Sequence, residues 1–462
     1  MLSLKEKIAY GLGAVGKDMV YMLSASYILY YYQDVLGVSA VAMGIILLVA
    51  RIFDAFNDPI MGVIVAKTKS KFGKFRLWLL IGTVTNAIIL YFMFACPPSL
   101  DGAGLTAYAA VFYIIWGVTY TMMDIPYWSM IPAFTNGGKE REGLTTLARS
   151  CAGVGSAIIT IFTMMLVHAL GGSNEKVGFK YLALIVAILF VIFICITVFT
   201  IKEKSSVNME TPSVSTMFKS LINNDQAMAV VIAIVLINCA VYITSNLVIY
   251  FFKYDFGGGN WYESYTYFNM FGGAIQILAM MFMYTLLRKF FSNIQIFYIC
   301  LLFAILGYAS LLGIAFTSMN NVFVLFIPGF FIFAANGILQ VLTTVFLANT
   351  VDYGQLKTGR RDESVIFSMQ TFVVKLASGI AAFVASVCLS INHLQSGTEV
   401  SETDAVIDFS KGVSQASRIG LRTTMTVIPI IGLFIAVLWF KKKYILTDKK
   451  IEEITKEIHK NN

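Results

Sequence analysis

The chain has 462 residues, of which 58% are hydrophobic and only 13% charged, with a formal net charge of +8. Soluble domains carry roughly twice that charged fraction, and the apolar residues here run in stretches of about 20. A soluble fold is excluded, and so is a transmembrane barrel, whose strands would be about ten residues of alternating polarity. What remains is an all-α integral membrane protein.

The apolar stretches number about twelve, centred near residues 22, 53, 85, 118, 157, 189, 237, 273, 305, 334, 378 and 428. Glu203 to Asp225, rich in Ser, Thr, Lys and Asn, divides them into six and six. The expected organisation is a six-helix bundle over 1–202, a central cytoplasmic loop over 203–225, a second six-helix bundle over 226–441 and a cytoplasmic tail over 442–462. Two such bundles rock against each other around a central site. Leu394 to Ser417 is expected as an external loop. The tail is basic and then amphipathic through Ile451, Ile454 and Ile458, which predicts a surface helix.

Basic residues cluster in alternate loops: Lys5 and Lys7, Lys67 to Arg76, Lys139 and Arg141, Lys202 and Lys204, Arg288 and Lys289, Lys357 to Arg361, and Lys441 to Lys443. The loops between, such as Pro97 to Gly104, carry neither Lys nor Arg. This bias places both termini in the cytoplasm and gives the positive balance an orienting role, not a nucleic-acid partner. The opening Met1 to Lys7 is polar and leads directly into a full-length span, so no cleaved leader is expected. The partner is the lipid bilayer of the cell membrane, crossed many times.

Six scattered cysteines show no paired spacing and read as packed thiols. His168, His393 and His459 stand apart from any Cys or carboxylate cluster, so no cofactor and no structural metal are expected. No nucleophile-elbow, phosphate-loop or metal-helix motif appears, and an enzyme is not expected.

The second span carries Arg51-Ile-Phe-Asp54-Ala-Phe-Asn57-Asp58-Pro59. Asp54, Asn57 and Asp58 share one helical face, and ionised carboxylates in a bilayer need a wet interior or a partner charge. Lys17-Asp18 lies in the first span behind Gly11, Gly13 and Gly16, which permit close helix approach. In the fourth span Tyr120, Asp124 and Trp128 recur at every fourth position. Arg149 opens the fifth, and Gln370, Thr371 and Lys375 lie in the eleventh. Lys17, Arg149 and Lys375 offset Asp18 and Asp124. That leaves Asp54 and Asp58 to be balanced by an added cation, with Arg51 as a local partner. Carboxylates beside aromatic rings suit a sugar, whose hydroxyls they accept and whose apolar face a ring covers. The plain alternatives are a structural ion pair for each Asp and packing for Tyr120 and Trp128.

Asp54 to Gly62 followed by Ser70 to Arg76 resembles the signature of the glycoside–pentoside–hexuronide:cation symporters of the major facilitator superfamily. Gly117 to Trp128, Thr350 to Gly354 and Gln370 to Lys375 extend the likeness over nearly the whole chain. The Lys17-Asp18 pair leans it toward the melibiose permease branch. The resemblance implies a cation site at Asp54, Asn57, Asp58 and Thr121. It implies a sugar site at Lys17, Asp18, Tyr120, Asp124, Trp128, Arg149, Gln340, Gln370, Thr371 and Lys375, and a cytoplasmic gating network retaining Asp352 and Arg361. Gln340 stands where melibiose permeases place a tryptophan, and Asn349 where an aspartate is usual. The resulting expectation is a cation-coupled importer of a glycoside or oligosaccharide, working by alternating access with Na+, Li+ or H+ and functional as a monomer. A hexuronide, glucuronide or pentoside cargo is the alternative, and a non-transporting sensor of the same fold the remote one.

Overall fold

The computed structural model describes residues 2–135, 138–203, 215, 219, 222–317, 319, 321–358, 363–394 and 408–461. Among these, secondary structure is helical throughout, with no strand. Twelve long helices follow in order: α1 Leu4–Tyr30, α2 Ala40–Lys67, α3 Lys74–Phe94, α4 Gly102–Phe134, α5 Gly138–Gly171, α6 Glu175–Thr200, α7 Asp225–Tyr250, α8 Trp261–Leu278 with its continuation to Leu287, α9 Asn293–Ala315, α10 Val322–Thr358, α11 Glu363–Ile391 and α12 Gln415–Lys443. A shorter α13, Asp448–Asn461, closes the chain.

Eleven of the twelve are long and apolar enough to cross a membrane. The exception, α1, has the length at 27 residues but carries Lys5, Glu6, Lys7, Lys17 and Asp18. Local sequence sets the starts. Ser3 with Glu6 and Ser292 with Gln295 form reciprocal capping boxes, and Asn174, Asn224 and Ser414 cap α6, α7 and α12 through their side chains. Each cap satisfies backbone N–H groups that the helix itself leaves unpaired.

The chain forms two compact units, one of Met1–Thr211 with Gln395–Ala405, the other of Pro212–Leu394 with Val406–Asn462. Much of the expected central loop and of the expected external loop lies outside the described residues.

Within the first unit α1 packs on α5 and α6, α4 packs on α2 and α3, and α3 packs on α6. The second unit repeats the scheme: α7 packs on α11 and α12, α10 on α8 and α9, and α9 on α12. Small residues make the first set of crossings close. A Cβ on Gly16 would lie 3.2 Å from the Phe190 Cα, and one on Gly155 would overlap the Val15 carbonyl at 2.3 Å.

The ends of α1 and α7 also match. Each runs into a π-helical turn, Tyr31–Val35 and Phe251–Phe256, and then a left-handed glycine, Gly37 at φ 77° and Gly257 at φ 73°. In the first unit this turn aims Tyr31 and Tyr32 at the end of α3. Their hydroxyls donate to the carbonyls of Phe94 at 2.7 Å and Met93 at 2.8 Å, which α3 cannot satisfy itself.

At the basic-loop end of the same unit, Glu203 caps α3 from beyond α6. It accepts from the backbone N–H groups of Lys74 at 3.1 Å, Phe75 at 3.0 Å and Arg76 at 2.9 Å. Arg76 returns the contact, donating from Nε to the Val198 carbonyl at 2.7 Å. Part of the Lys67 to Arg76 run is therefore a helix-to-helix clasp as well as an orienting charge.

The second unit is centred on an apolar core in which the rings of Phe297, Phe346, Phe440 and Tyr444 pack together. The tail helix α13 lies against α10, burying Ile454, and Asp448 pairs with Arg288 at 3.1 Å. Its opposite face, with Glu452, Glu453 and Glu457, is exposed, as its amphipathic pattern requires.

Candidate functional site

The buried charges of the first unit meet around α4. Lys17, 4% exposed, lies 2.7 Å from Asp124 and 3.3 Å from Asp18, and donates to the Tyr120 hydroxyl at 3.1 Å. Trp128 Nε1 donates to Asp124 Oδ1 at 3.1 Å, one helical turn along the same face. The Arg149 guanidinium sits 4.0 Å over the Trp128 ring, and Ser156 Oγ lies 3.4 Å from Asp18 Oδ1. An ammonium between two carboxylates recovers much of the cost of removing all three from water. The i, i+4 spacing of Tyr120, Asp124 and Trp128 delivers hydroxyl, carboxylate and indole to one strip. The structure brings together in this network the six residues of this unit that were expected at a sugar site.

On α2 the two carboxylates are treated differently. Asp54 pairs with Arg51 at 3.2 Å, and the guanidinium is flanked by the rings of Tyr21 at 5.8 Å and Tyr113 at 5.9 Å. Asp54 also leans on α4, where a Cβ on Gly117 would stand 2.7 Å from its Oδ1. Asp58 is turned to α4 as well, and its Oδ1 accepts from the Thr121 hydroxyl at 3.0 Å. Arg51, expected as a local partner, is the partner that Asp54 has. Arg51 already balances Asp54, because i, i+3 spacing brings the pair together on the helix. Asn57 Nδ2 is buried with no hydrogen-bond partner among the described residues. Turned over, that amide offers an oxygen beside Asp58.

Sequence reasoning missed Tyr21, Tyr113, Trp116 and Ser156. Trp116 stacks on Tyr113 at 5.7 Å and on Tyr120 at 5.3 Å, and Tyr21 leans on both Trp116 and Tyr120. The signal was available, since Tyr113, Trp116 and Tyr120 continue the α4 strip by steps of three and four, and Tyr21 follows Lys17 by four.

The residues expected in the second unit lie on α10 and α11. Gln340 and Thr371 are exposed, while Gln370 and Lys375 are half-buried. Of the expected gating pair, Asp352 is half-buried on α10 and Arg361 lies outside the described residues. A neighbouring ion pair is visible instead: Asp225 accepts from Lys357 at 2.7 Å and from the Tyr353 hydroxyl at 3.1 Å. No sequence motif pointed to a further buried pair in this unit, in which Arg422 grips Asp255 through two bonds of 2.6 Å. Among the described residues no group of three or more His, Cys, Asp or Glu could hold a metal ion.

Twelve long helices in two units of like packing, with ion pairs buried inside each of them, belong to a multi-pass cell-membrane transporter and not an enzyme. The model of the family described as MFS/sugar transport protein matches residues 9–448, and the chain belongs to that family. It is 28% identical to the uncharacterized symporter YjmB of Bacillus subtilis, an alignment covering 100% of this chain and 96% of that one. It is 26% identical to the putative glycoside/cation symporter YagG of Escherichia coli, covering 100% and 96%. It is 27% identical to the raffinose carrier protein of Pediococcus pentosaceus, covering 98% of this chain and 71% of the carrier. Among solved structures it resembles a bacterial homolog of the human lysosomal transporter Spinster in its inward-facing, unoccupied conformation, with a TM-score of 0.71 at 12% identity, over 98% of this chain and 97% of that one. At that identity the likeness speaks for the fold alone.

Proposed function

We propose that the protein couples entry of a neutral glycoside or oligosaccharide to a sodium ion, a lithium ion or a proton moving down its gradient. The observation that carries this is on α4. Thr121 holds Asp58 of α2, and Asp124, three residues on, holds Lys17 of α1. A cation on Asp58 and a hydroxylated ligand on Asp124 would thus be bound through one turn of one helix. Each would stabilise the same placement of that turn, which is the physical content of coupling. Linkage then requires sugar to tighten cation binding by the factor with which the cation tightens sugar binding.

For the cation, the Asp58 carboxylate, the Thr121 hydroxyl, the Asn57 amide and the Asp54 oxygen that Arg51 does not hold offer hard oxygen donors. A proton on Asp58 would serve the same balance. For the sugar, Asp18 and Asp124 supply charged acceptors, Lys17 and Arg149 donors, and Tyr120 and Trp128 ring faces. Gln340, Gln370, Thr371 and Lys375 offer donors and acceptors of their own on α10 and α11 of the second unit. The relatives, a raffinose carrier, a lactose permease and an isoprimeverose transporter among them, favour glycosides of more than one ring. Asp352 is assigned to gating, and one chain is taken as the working unit in the bilayer.

The test is uptake into sealed vesicles of raffinose, lactose, melibiose and a methyl glucuronide, with sodium, lithium and proton gradients imposed separately. Uphill accumulation of a neutral sugar under one gradient supports the reading; none under any gradient defeats it. A hexuronide is the second reading, favoured by the exposed Arg149, which shares the Trp128 ring with Lys17. Preferential uptake of the glucuronide would select it.

A further inference from the structure

Within the first unit, the start of α1 and the last turns of α6 border a crevice of about 810 Å³. On their buried side the two helices are clasped. The Thr197 hydroxyl donates to the Ala9 carbonyl at 2.7 Å, and a Cβ on Gly13 would overlap Thr197 Oγ1 at 2.4 Å. The crevice lies on the other side of α6, where Val191, Cys195 and Phe199 recur at every fourth position and so form one strip. Ile192 and Ile196 widen the strip, and with Phe199 they are exposed at 47%, 38% and 64%. From Val191 to Thr200 the strip runs roughly 14 Å at 1.5 Å per residue, close to half of a hydrocarbon core about 30 Å thick. It is therefore as long as one leaflet is deep.

The α1 wall is polar, made by Ser3, Lys5 and Glu6. Glu6 is engaged locally, since its Oε2 accepts from the Ser3 backbone N–H and from the Ser3 hydroxyl, both at 2.8 Å. Lys5 is exposed and makes no ion pair among the described residues, and the same holds for Lys202, two residues beyond Thr200. The first backbone N–H groups of α1 have no partner within the helix and add its positive end to this mouth. The basic loops on this side mark it as the cytoplasmic face, where anionic lipids make the membrane surface negative.

We propose that the crevice binds one anionic phospholipid of the inner leaflet, with its phosphate at Lys5 and Lys202 and an acyl chain along Val191 to Phe199. A cationic mouth leading into an apolar strip one leaflet long matches such a lipid in both charge and length. A zwitterionic lipid brings its own ammonium to the two lysines and loses that advantage. Bound there, the lipid ties the start of α1, the helix that carries Lys17 and Asp18, to the membrane surface.

The test uses the full chain in phosphatidylcholine bilayers, with Phe199→Trp as the reporter. Acyl-brominated phosphatidylglycerol, phosphatidylethanolamine or phosphatidylcholine is added, and quenching beyond that of the parent chain is read as occupancy. Brominated phosphatidylglycerol should be preferred over both other lipids by about fivefold or more, the scale of one lysine at a membrane surface. Lys5→Gln with Lys202→Gln, both at exposed positions, should bring that preference close to one. Cys195→Phe, which fills the strip and leaves the lysines in place, should lower the quenching by phosphatidylglycerol. Equal quenching by the three lipids overturns the inference, as does a preference that survives the double lysine variant. Ile81→Trp, exposed on α3 near the denser Lys67 to Arg76 run, is the control. An equal preference there would mean a general lipid shell gathered by basic loops, and would overturn the site as well.

Discussion

Arg51 and Asp54, one turn apart on α2, form a buried ion pair at 3.2 Å, while Asp58, one turn further on, is bonded to Thr121 of the neighbouring helix. Two carboxylates on one helical face thus have different partners and are expected to fail differently.

Asp58→Asn is expected to abolish cation-stimulated uptake with the protein still inserted. Thr121→Ala, which removes one neutral hydrogen bond to a charged group, should weaken apparent cation affinity by about tenfold, corresponding to about 1.4 kcal/mol. Asp54→Asn instead leaves the Arg51 guanidinium buried without its counter-charge, at a cost of about 3–5 kcal/mol. Its signature is a fall in the thermal stability of the purified protein. Equal stability of the two Asp variants would contradict the division of labour.

Lys17 serves both Asp18 and Asp124. Lys17→Met should cost more than either Asp18→Asn or Asp124→Asn alone, since it strands two carboxylates rather than one. Sugar binding measured by displacement of a fluorescent galactoside should be undetectable in Lys17→Met. Trp128→Phe keeps a ring under Arg149 but deletes the donor to Asp124, and about a tenfold loss of sugar affinity is expected.

The Glu203 clasp predicts a stability defect far from any ligand. Glu203→Gln keeps an acceptor but removes the negative charge from the start of α3, a change of about 1–2 kcal/mol. Gly73→Ala should be worse: φ there is 103°, and a Cβ would stand 2.4 Å from Glu203 Oε1. Thermal unfolding of the two variants, with sugar affinity unchanged in Glu203→Gln, checks both points.

Arg422→Met should strand the fully buried Asp255 and destabilise the second unit by about 3–5 kcal/mol. The double variant Arg422→Met with Asp255→Leu should recover much of that loss, because neither charge is then left alone. No recovery would mean that the pair contributes specific geometry that apolar packing does not replace.

Asp408 offers a pH test outside the membrane. The Ser410 hydroxyl at 2.7 Å, helped by the backbone N–H groups of Gly258 at 3.0 Å and Ser410 at 3.1 Å, holds its carboxyl below the usual carboxylate range. A depressed folded value means that the stabilisation is complete above the unfolded value of about 3.9 and is lost as pH falls through the lower folded one. Hydrogen exchange at Gly258 and Ser410 should therefore accelerate, beyond its intrinsic pH dependence, only below about pH 4, and Asp408→Asn should remove that extra change.

Some of this was legible in the chain alone. Runs of apolar residues fixed the helical membrane class because a bilayer leaves no other way to satisfy the backbone. Fourfold spacing put Tyr120, Asp124 and Trp128 on one strip, because helical periodicity is a local property. The family likeness marked Asp58, Thr121 and the rest as candidates. Only the tertiary structure decided how charges were shared: that Arg51 takes Asp54, that Lys17 serves two carboxylates, that Glu203 caps a helix more than a hundred residues before it. The likeness of the two units also emerged only from packing. Pairing across helices depends on distance and orientation between elements remote in sequence, and no local pattern contains either.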